Sequence, residues 1–116
     1  MNFKIVNNAW WMFWARGMVL WPWMWLREVK HVDYDRTDDV YKAWYQSATD
    51  RLYRHELQHC YQVASLGRLK FYSTYIWYQI RYGYKKNPFE VEANQREDDP
   101  LNEDEIRWRE QGVVEL

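Results

Sequence analysis

Two histidines four residues apart, with a glutamate directly after the first, stand at His55-Glu56-Leu57-Gln58-His59. On an α-helix such a pair lies on one face, roughly 6 Å apart along the axis, so both imidazoles can bind one Zn²⁺ from the same side. Glu56 can then reach the fourth coordination position and take a proton from a metal-bound water, which is the arrangement of metal-assisted hydrolysis. Two histidines on a helix are more often surface or core residues than ligands. The reading therefore depends on the helix being real and on a third ligand.

From Arg51 to Leu66 the chain carries neither Pro nor Gly. Asp50 can cap the start of a helix, and Gly67 stands where a glycine ends one. Tyr53, Leu57, Cys60, Tyr61 and Ala64 fall on one apolar stripe, with His55, His59 and Gln62 on the opposite side, beside Val63 and Leu66. A helix buried along one stripe and polar along the other suits an active-site helix in a small domain.

A third His six residues after the second would complete one ligand pattern, but Ser65 occupies that position, and the remaining histidine, His31, lies upstream in a charged segment. Carboxylates are the better candidates. Asn87-Pro88 reads as the cap and first residue of a new helix, which puts Glu90 in its first turn and Glu92 two residues on. Residues two apart on a helix point in different directions, so only one of the two should face the metal. Both are also the first-turn acids that a helix dipole favours.

The H-E-x-x-H helix followed by a Glu-bearing helix resembles the gluzincin metallopeptidases. In that family the third ligand is the Glu of an E-x-x-x-D or E-x-x-A-D pattern, and Glu90-Val91-Glu92-Ala93-Asn94 follows it with Asn94 at the Asp position. The resemblance implies Glu90 as third ligand, with Glu92 as alternative ligand or outer partner. It implies that Asn94 takes the place of the acid that orients the first histidine, without its charge. Trp21-Pro22-Trp23, Arg54 to Gln62, Phe71 to Tyr82 and Tyr84 to Ala93 are together similar to small H-E-x-x-H proteins of bacteria and phages, over roughly residues 18 to 94. What this implies is a zinc metallopeptidase with His55, His59 and Glu90 on Zn²⁺, Glu56 as general base, and a peptide or protein as substrate. Tyr82 and Tyr84 stand near enough in sequence to the Glu90 helix to be candidates for stabilising an oxyanion or touching substrate.

At 116 residues the chain should form one domain. The expected division is a zincin-like unit over residues 1–96 and an acidic C-terminal tail over 97–116, where six of the nine residues 97–105 are acidic and read as a solubilising face. A net charge of −1 gives no global drive toward nucleic acid, although Arg68, Lys70, Arg81, Lys85 and Lys86 alternate with tyrosines. The single Cys60 excludes an intrachain disulfide framework, reads as core, and is compatible with a cytoplasmic, reducing compartment.

Six of the nine tryptophans fall between Trp10 and Trp25. The apolar run Ala9 to Leu26 is short for a membrane span and is interrupted by Arg16, Gly17 and Pro22. It lacks a basic start and a small-residue cleavage site, so a signal peptide is not expected. Two short strands near 18–21 and 23–26 are expected instead, and one of them could hold an extended substrate along its edge. Peripheral attachment to a membrane surface through the Trp-rich segment 9–26 stays open.

The remaining elements are a first strand over 3–6, a loop or strand exit over 27–36, and a segment from Thr37 onward whose Val40 to Tyr45 fits a helix or a strand. Arg68 to Tyr82 should be a helix ending at Gly83, and the Glu90 helix should stop at Pro100. The fold class expected is α+β, mainly helical, with a small N-terminal β element. Two other functions fit the same residues: a structural zinc protein without catalysis, and a metal-free module that docks a partner or membrane through its aromatic surface. The oligomeric state cannot be read from this pattern.

Overall fold

Alternation of buried and exposed side chains builds a small mixed sheet. The computed structural model describes residues 1–7, 17–26 and 39–116, with side chains in the last stretch described from residue 47 onward. His31, the segment 27–36, the next two residues Thr37 and Asp38, and the first part of the tryptophan run lie outside the described residues. Strand β1 spans Asn2–Asn7, β2 Gly17–Leu20, β3 Trp23–Leu26 and β4 Val113–Glu115. The sheet order is β2-β3-β1-β4, with β1 parallel to β3 and antiparallel to β4. The expected pair of short strands is present as the antiparallel hairpin β2–β3, in which Met18 faces Trp25 and Leu20 faces Trp23.

Phe3, Val19, Met24, Leu26 and Val114 turn to one side of the sheet and meet Tyr53, Leu57, Cys60 and Val63. Those four belong to α1, Asp39–Leu66, which is joined by α2 (Arg68–Tyr82), α3 (Pro88–Arg96) and α4 (Glu103–Gln111). The result is an α+β fold dominated by helices, as its patterning predicts. Helix α1 begins well before Asp50, so Asp50 lies inside it and caps nothing. A side chain can cap only where the backbone ceases to be helical, and no Pro or Gly interrupts the chain between Asp39 and Leu66. Its apolar stripe is also rotated from the expected one: Val63 is fully buried and Ala64 is exposed.

Gly67 and Gly83 have positive φ of 82° and 79°, and mark the ends of α1 and α2. Asn87 caps α3 as its sequence suggests: its side chain accepts from the Phe89 N–H at 3.0 Å, with Pro88 in the first turn. Helix α3 stops at Arg96, one turn before Pro100, where the Glu97 and Asp98 N–H groups turn back to Asn94 and Gln95.

The expected tail boundary at residue 96 is no boundary in the described structure. Asn102 and Glu105 form a reciprocal capping box for α4, and β4 then joins the sheet beside β1. Glu105 is 2 % exposed and binds the Arg96 guanidinium through both oxygens at 2.7 Å. It also accepts from Tyr61 Oη at 2.9 Å, while its backbone carbonyl accepts from Tyr53 Oη at 2.8 Å. Acid density suggests solvation, but Trp108 and Val114 are buried and draw this segment onto the core.

Candidate metal centre

Helix α1 presents His55, Glu56 and His59 on the side facing α3, and the first turn of α3 presents Glu90 to them. His55 Nε2 lies 3.0 Å from Glu90 Oε2, and His59 Nε2 lies 3.0 Å from Glu90 Oε1. All three residues are buried, and their ligand atoms lie within 4.8 Å of one another. They form a group able to hold a metal ion.

The outer nitrogens decide what the inner ones can do. His55 Nδ1 lies 3.0 Å from Glu97 Oε1, and a carboxylate only accepts. His59 Nδ1 lies 2.8 Å from Gln62 Oε1. The orientation of that amide is fixed, because Gln62 Nε2 donates to the Phe89 carbonyl at 3.0 Å and to Glu92 Oε1 at 3.2 Å. Both Nδ1 atoms therefore carry the proton of a neutral ring, and both Nε2 lone pairs point at carboxylate lone pairs. Something cationic must lie between them. In the metal-free protein a second ring proton would meet this need: burial acts against it, but the hydrogen bonds to Glu90 and the charge of Glu56 outweigh that and raise both histidine pKa values. A metal ion meets the same need without protonating either ring.

Glu90 shows the complementary effect. Burial alone would raise its pKa, yet hydrogen bonds from His55, His59 and Tyr75 hold it well below the usual carboxylate range. The Tyr75 hydroxyl donates to Glu90 Oε1 at 2.9 Å. Glu56 goes the other way. Burial pushes its carboxyl up to about 7, against the pull of both histidines. A carboxyl poised near neutrality can both accept and return a proton.

Gly17, the first residue of β2, closes the site from the sheet side. A Cβ on Gly17 would fall 2.7 Å from Glu56 Cγ and 2.8 Å from its Cδ and Oε1. Only a residue without a side chain lets the edge strand come this close to the acid.

The sequence-derived residues are thus sorted by position. His55, Glu56, His59 and Glu90 come together. Glu92 is exposed at its side of α3 and binds Gln58 and Gln62, which makes it a support for the His59 amide partner and not a ligand. Asn94 is exposed and does not meet His55; Glu97, two helical turns beyond Glu90, does. Tyr84 reaches the site edge, where burial and the charge of Glu90 push its phenol up to about 12. Tyr82 packs on Tyr78 at the exposed end of α2, with a ring separation of 5.8 Å. Glu97, Tyr75 and Gly17 were not singled out by sequence. The seven-residue spacing from Glu90 to Glu97 is a signal for one shared helix face, although Glu97 lies just past the last helical residue. Arg54 donates to the Glu97 carbonyl at 2.9 Å, and Arg51 pairs with Asp98 at 2.8 Å, so α1 itself holds that turn in place.

No family model matches this chain, and comparison with curated proteins and with solved structures finds no match either.

Proposed function

We propose that the protein is a zinc-dependent hydrolase of peptide bonds, with His55, His59 and Glu90 as ligands and Glu56 as general base. The observation that carries this reading is the inward turn of both Nε2 lone pairs onto Glu90, with a buried, near-neutral Glu56 on the same helix. Two imidazoles and one carboxylate suit Zn²⁺, whose tetrahedral ligands sit about 3.3 Å apart at bond lengths near 2.0 Å. The two 3.0 Å separations are to different oxygens of Glu90 and the three ligand atoms lie within 4.8 Å of one another, a spread that brackets this spacing. The resemblance to gluzincins points the same way, with Glu97 taking the orienting role that their pattern would give to Asn94.

Bound zinc would supply a Lewis acid and lower the pKa of a water toward neutrality. The chain's own residues do the rest. Glu56 accepts the proton of the attacking water and returns it to the leaving amine. Glu97 and Gln62 hold the two rings in the Nδ1–H tautomer with Nε2 turned toward Glu90, and Tyr75 steadies the Glu90 carboxylate. Strand β2 is the sheet edge nearest Glu56, where an extended peptide can add as a further strand.

A structural, non-catalytic zinc tie is the second reading, favoured by the burial of all three ligands. Metal content by mass spectrometry and hydrolysis of an unfolded protein substrate separate the two. Near-stoichiometric zinc is expected in wild type and in Glu56→Gln and Glu92→Gln, with loss in His59→Ala and Glu90→Gln. Turnover by wild type that stops in Glu56→Gln supports the hydrolase. Zinc bound without turnover supports the structural tie, and no zinc even after supply overturns both.

A further inference from the structure

Helix α2 has two apolar faces, and only one of them is covered. Phe71 and Tyr75 turn inward toward Phe89 and His59. On the opposite side, Leu69, Ile76 and Ile80 recur at intervals of seven and four, with Trp77 beside them. Leu69 is 85 % exposed, Ile80 77 %, and Ile76 and Trp77 58 % each. An outward aliphatic stripe on a helix that already buries its other face is a surface awaiting a partner.

The charge around it is one-sided. From Leu57 to Phe89 the chain has no Asp or Glu, while Arg68, Lys70, Arg81, Lys85 and Lys86 all fall there. None of these five forms an ion pair among the described residues. Lys70 and Arg81 share a face of the helix with Trp77, seven residues before it and four after it, and Lys85 and Lys86 follow in the turn after the helix. This occurs in a chain whose total charge is −1. The β2–β3 turn is fastened to the start of the same helix: Trp21 N–H donates to Tyr72 Oη at 2.7 Å, Tyr72 Oη donates to the Val19 carbonyl at 3.1 Å, and the Arg68 guanidinium lies 4.4 Å above the Trp21 ring. Leu20, Trp21 and Trp23 are exposed there.

We propose that the outer face of α2, with the β2–β3 turn beside it, docks on the surface of a bilayer containing anionic phospholipid. Aliphatic side chains enter the acyl boundary, Trp and Tyr sit at the headgroup level, and Lys and Arg reach the phosphates. Two copies pairing through this face would bring Lys70 and Arg81 against their own kind with no acid between them. A nucleic acid would use the cations but give Leu69, Ile76 and Ile80 nothing apolar to enter. The helix is about 22 Å long at 1.5 Å per residue, too short to span, and no helix among the described residues is long and apolar enough to cross a membrane. The inference does not depend on the metal reading.

The test is flotation of the 116-residue chain with vesicles of phosphatidylcholine alone and of phosphatidylcholine with phosphatidylserine. Binding is expected only to the phosphatidylserine vesicles, falling with salt, and reduced about tenfold or more by the double change Ile76→Ser/Ile80→Ser. Lys85→Gln/Lys86→Gln should weaken it by up to about twenty-fivefold, since each cation near an anionic surface contributes about fivefold. Both pairs of positions are exposed, and unchanged thermal unfolding of the variants would show that folding is intact. Failure to float with either vesicle overturns the proposal, as does binding that Ile76→Ser/Ile80→Ser leaves unchanged. Sedimentation showing a dimer abolished by those serines, or retention by an acidic polymer equal to that by lipid, would assign the face to another occupant and also overturn it.

Discussion

Gly17→Ala isolates one contact at the heart of the site. The added methyl would sit 2.7 Å from Glu56 Cγ, where ordinary contact begins at 3.4 Å, so about 0.7 Å must be found. Swinging the tip of Glu56 does not suffice, because Cγ itself is in the way. Overpacking of this kind costs about 1–3 kcal/mol. Set against it is the gain of about 0.4–1 kcal/mol when alanine replaces glycine at a compatible backbone position. The net expectation is a loss of about 1–2 kcal/mol, or a fall of about 4–8 °C in Tm for a chain of this size. The control is the same change in a Glu56→Ala background, which removes the obstructing atoms. There Gly17→Ala should be neutral or slightly stabilising. Chemical denaturation of the four proteins, with EDTA present so that metal does not enter, gives the coupling directly. An equal cost in both backgrounds would refute the reasoning, because the clash would then not lie with Glu56. Under the hydrolase reading, Gly17→Ala should also lower turnover about a hundredfold while zinc content stays unchanged, since a shift near 1 Å misplaces the base.

Other expectations follow from the same geometry. Glu97→Gln removes the charge that faces His55 Nδ1 and should weaken zinc binding about 10–100-fold in competition with a chromophoric chelator; an unchanged affinity would deny Glu97 its orienting role. Glu105→Ala leaves the Arg96 guanidinium without its bidentate partner and should cost about 3–5 kcal/mol in urea unfolding, whereas a cost near zero would return Glu105 to a solvated surface role. Stability should respond to pH in opposite directions with and without metal. In the metal-free protein Glu56 has a folded pKa of about 7, above its unfolded value of 4.5, and both histidines are raised above 6.5, so the folded state holds extra protons and stability falls as pH rises through this range. Glu90, held low, adds stability above pH 4.5 that is lost as pH falls. Zinc needs unprotonated rings, so the zinc-loaded protein should gain stability over the same rise; parallel melting curves with EDTA and with zinc from pH 5 to 8 would contradict this.

What the sequence made legible is what rests on local chemistry. The His55–His59 pair, the Asn87-Pro88 cap and the glycine stops at Gly67 and Gly83 are each set within a few residues, and each is found where its spacing puts it. The selection of Glu90 over Glu92 follows from which of them lies against the two histidines, since both meet α1, Glu92 through Gln58 and Gln62; that is a tertiary fact that only a family pattern could anticipate. Tyr75 and Gly17 are remote from the motif in sequence, and nothing in a tyrosine-rich helix distinguishes the one that bonds Glu90. Glu97 was hidden in an acidic run whose composition argues for solvent. The return of residues 103–115 to the core was obscured for a similar reason: this charged stretch carries a few apolar anchors, Trp108 and Val114, that decide the outcome by packing.

The pairing of β1 with β4 sets Phe3 opposite Val114. Nearly the whole chain must therefore be made before the sheet can close, whereas the candidate ligand set and its supports, from His55 to Glu97, lie within three consecutive helices and the residue that ends the third. Contacts of short sequence separation form first, and those that span the chain form last. The group that could hold a metal ion lies within the helices and does not need the chain ends to meet, whereas confinement of Glu56 by Gly17 needs the β2–β3 hairpin to dock on α1. Order of assembly would then have a chemical meaning: an ion would meet the helical group still open, and the acid beside it is confined only once the β2–β3 hairpin brings Gly17 against α1.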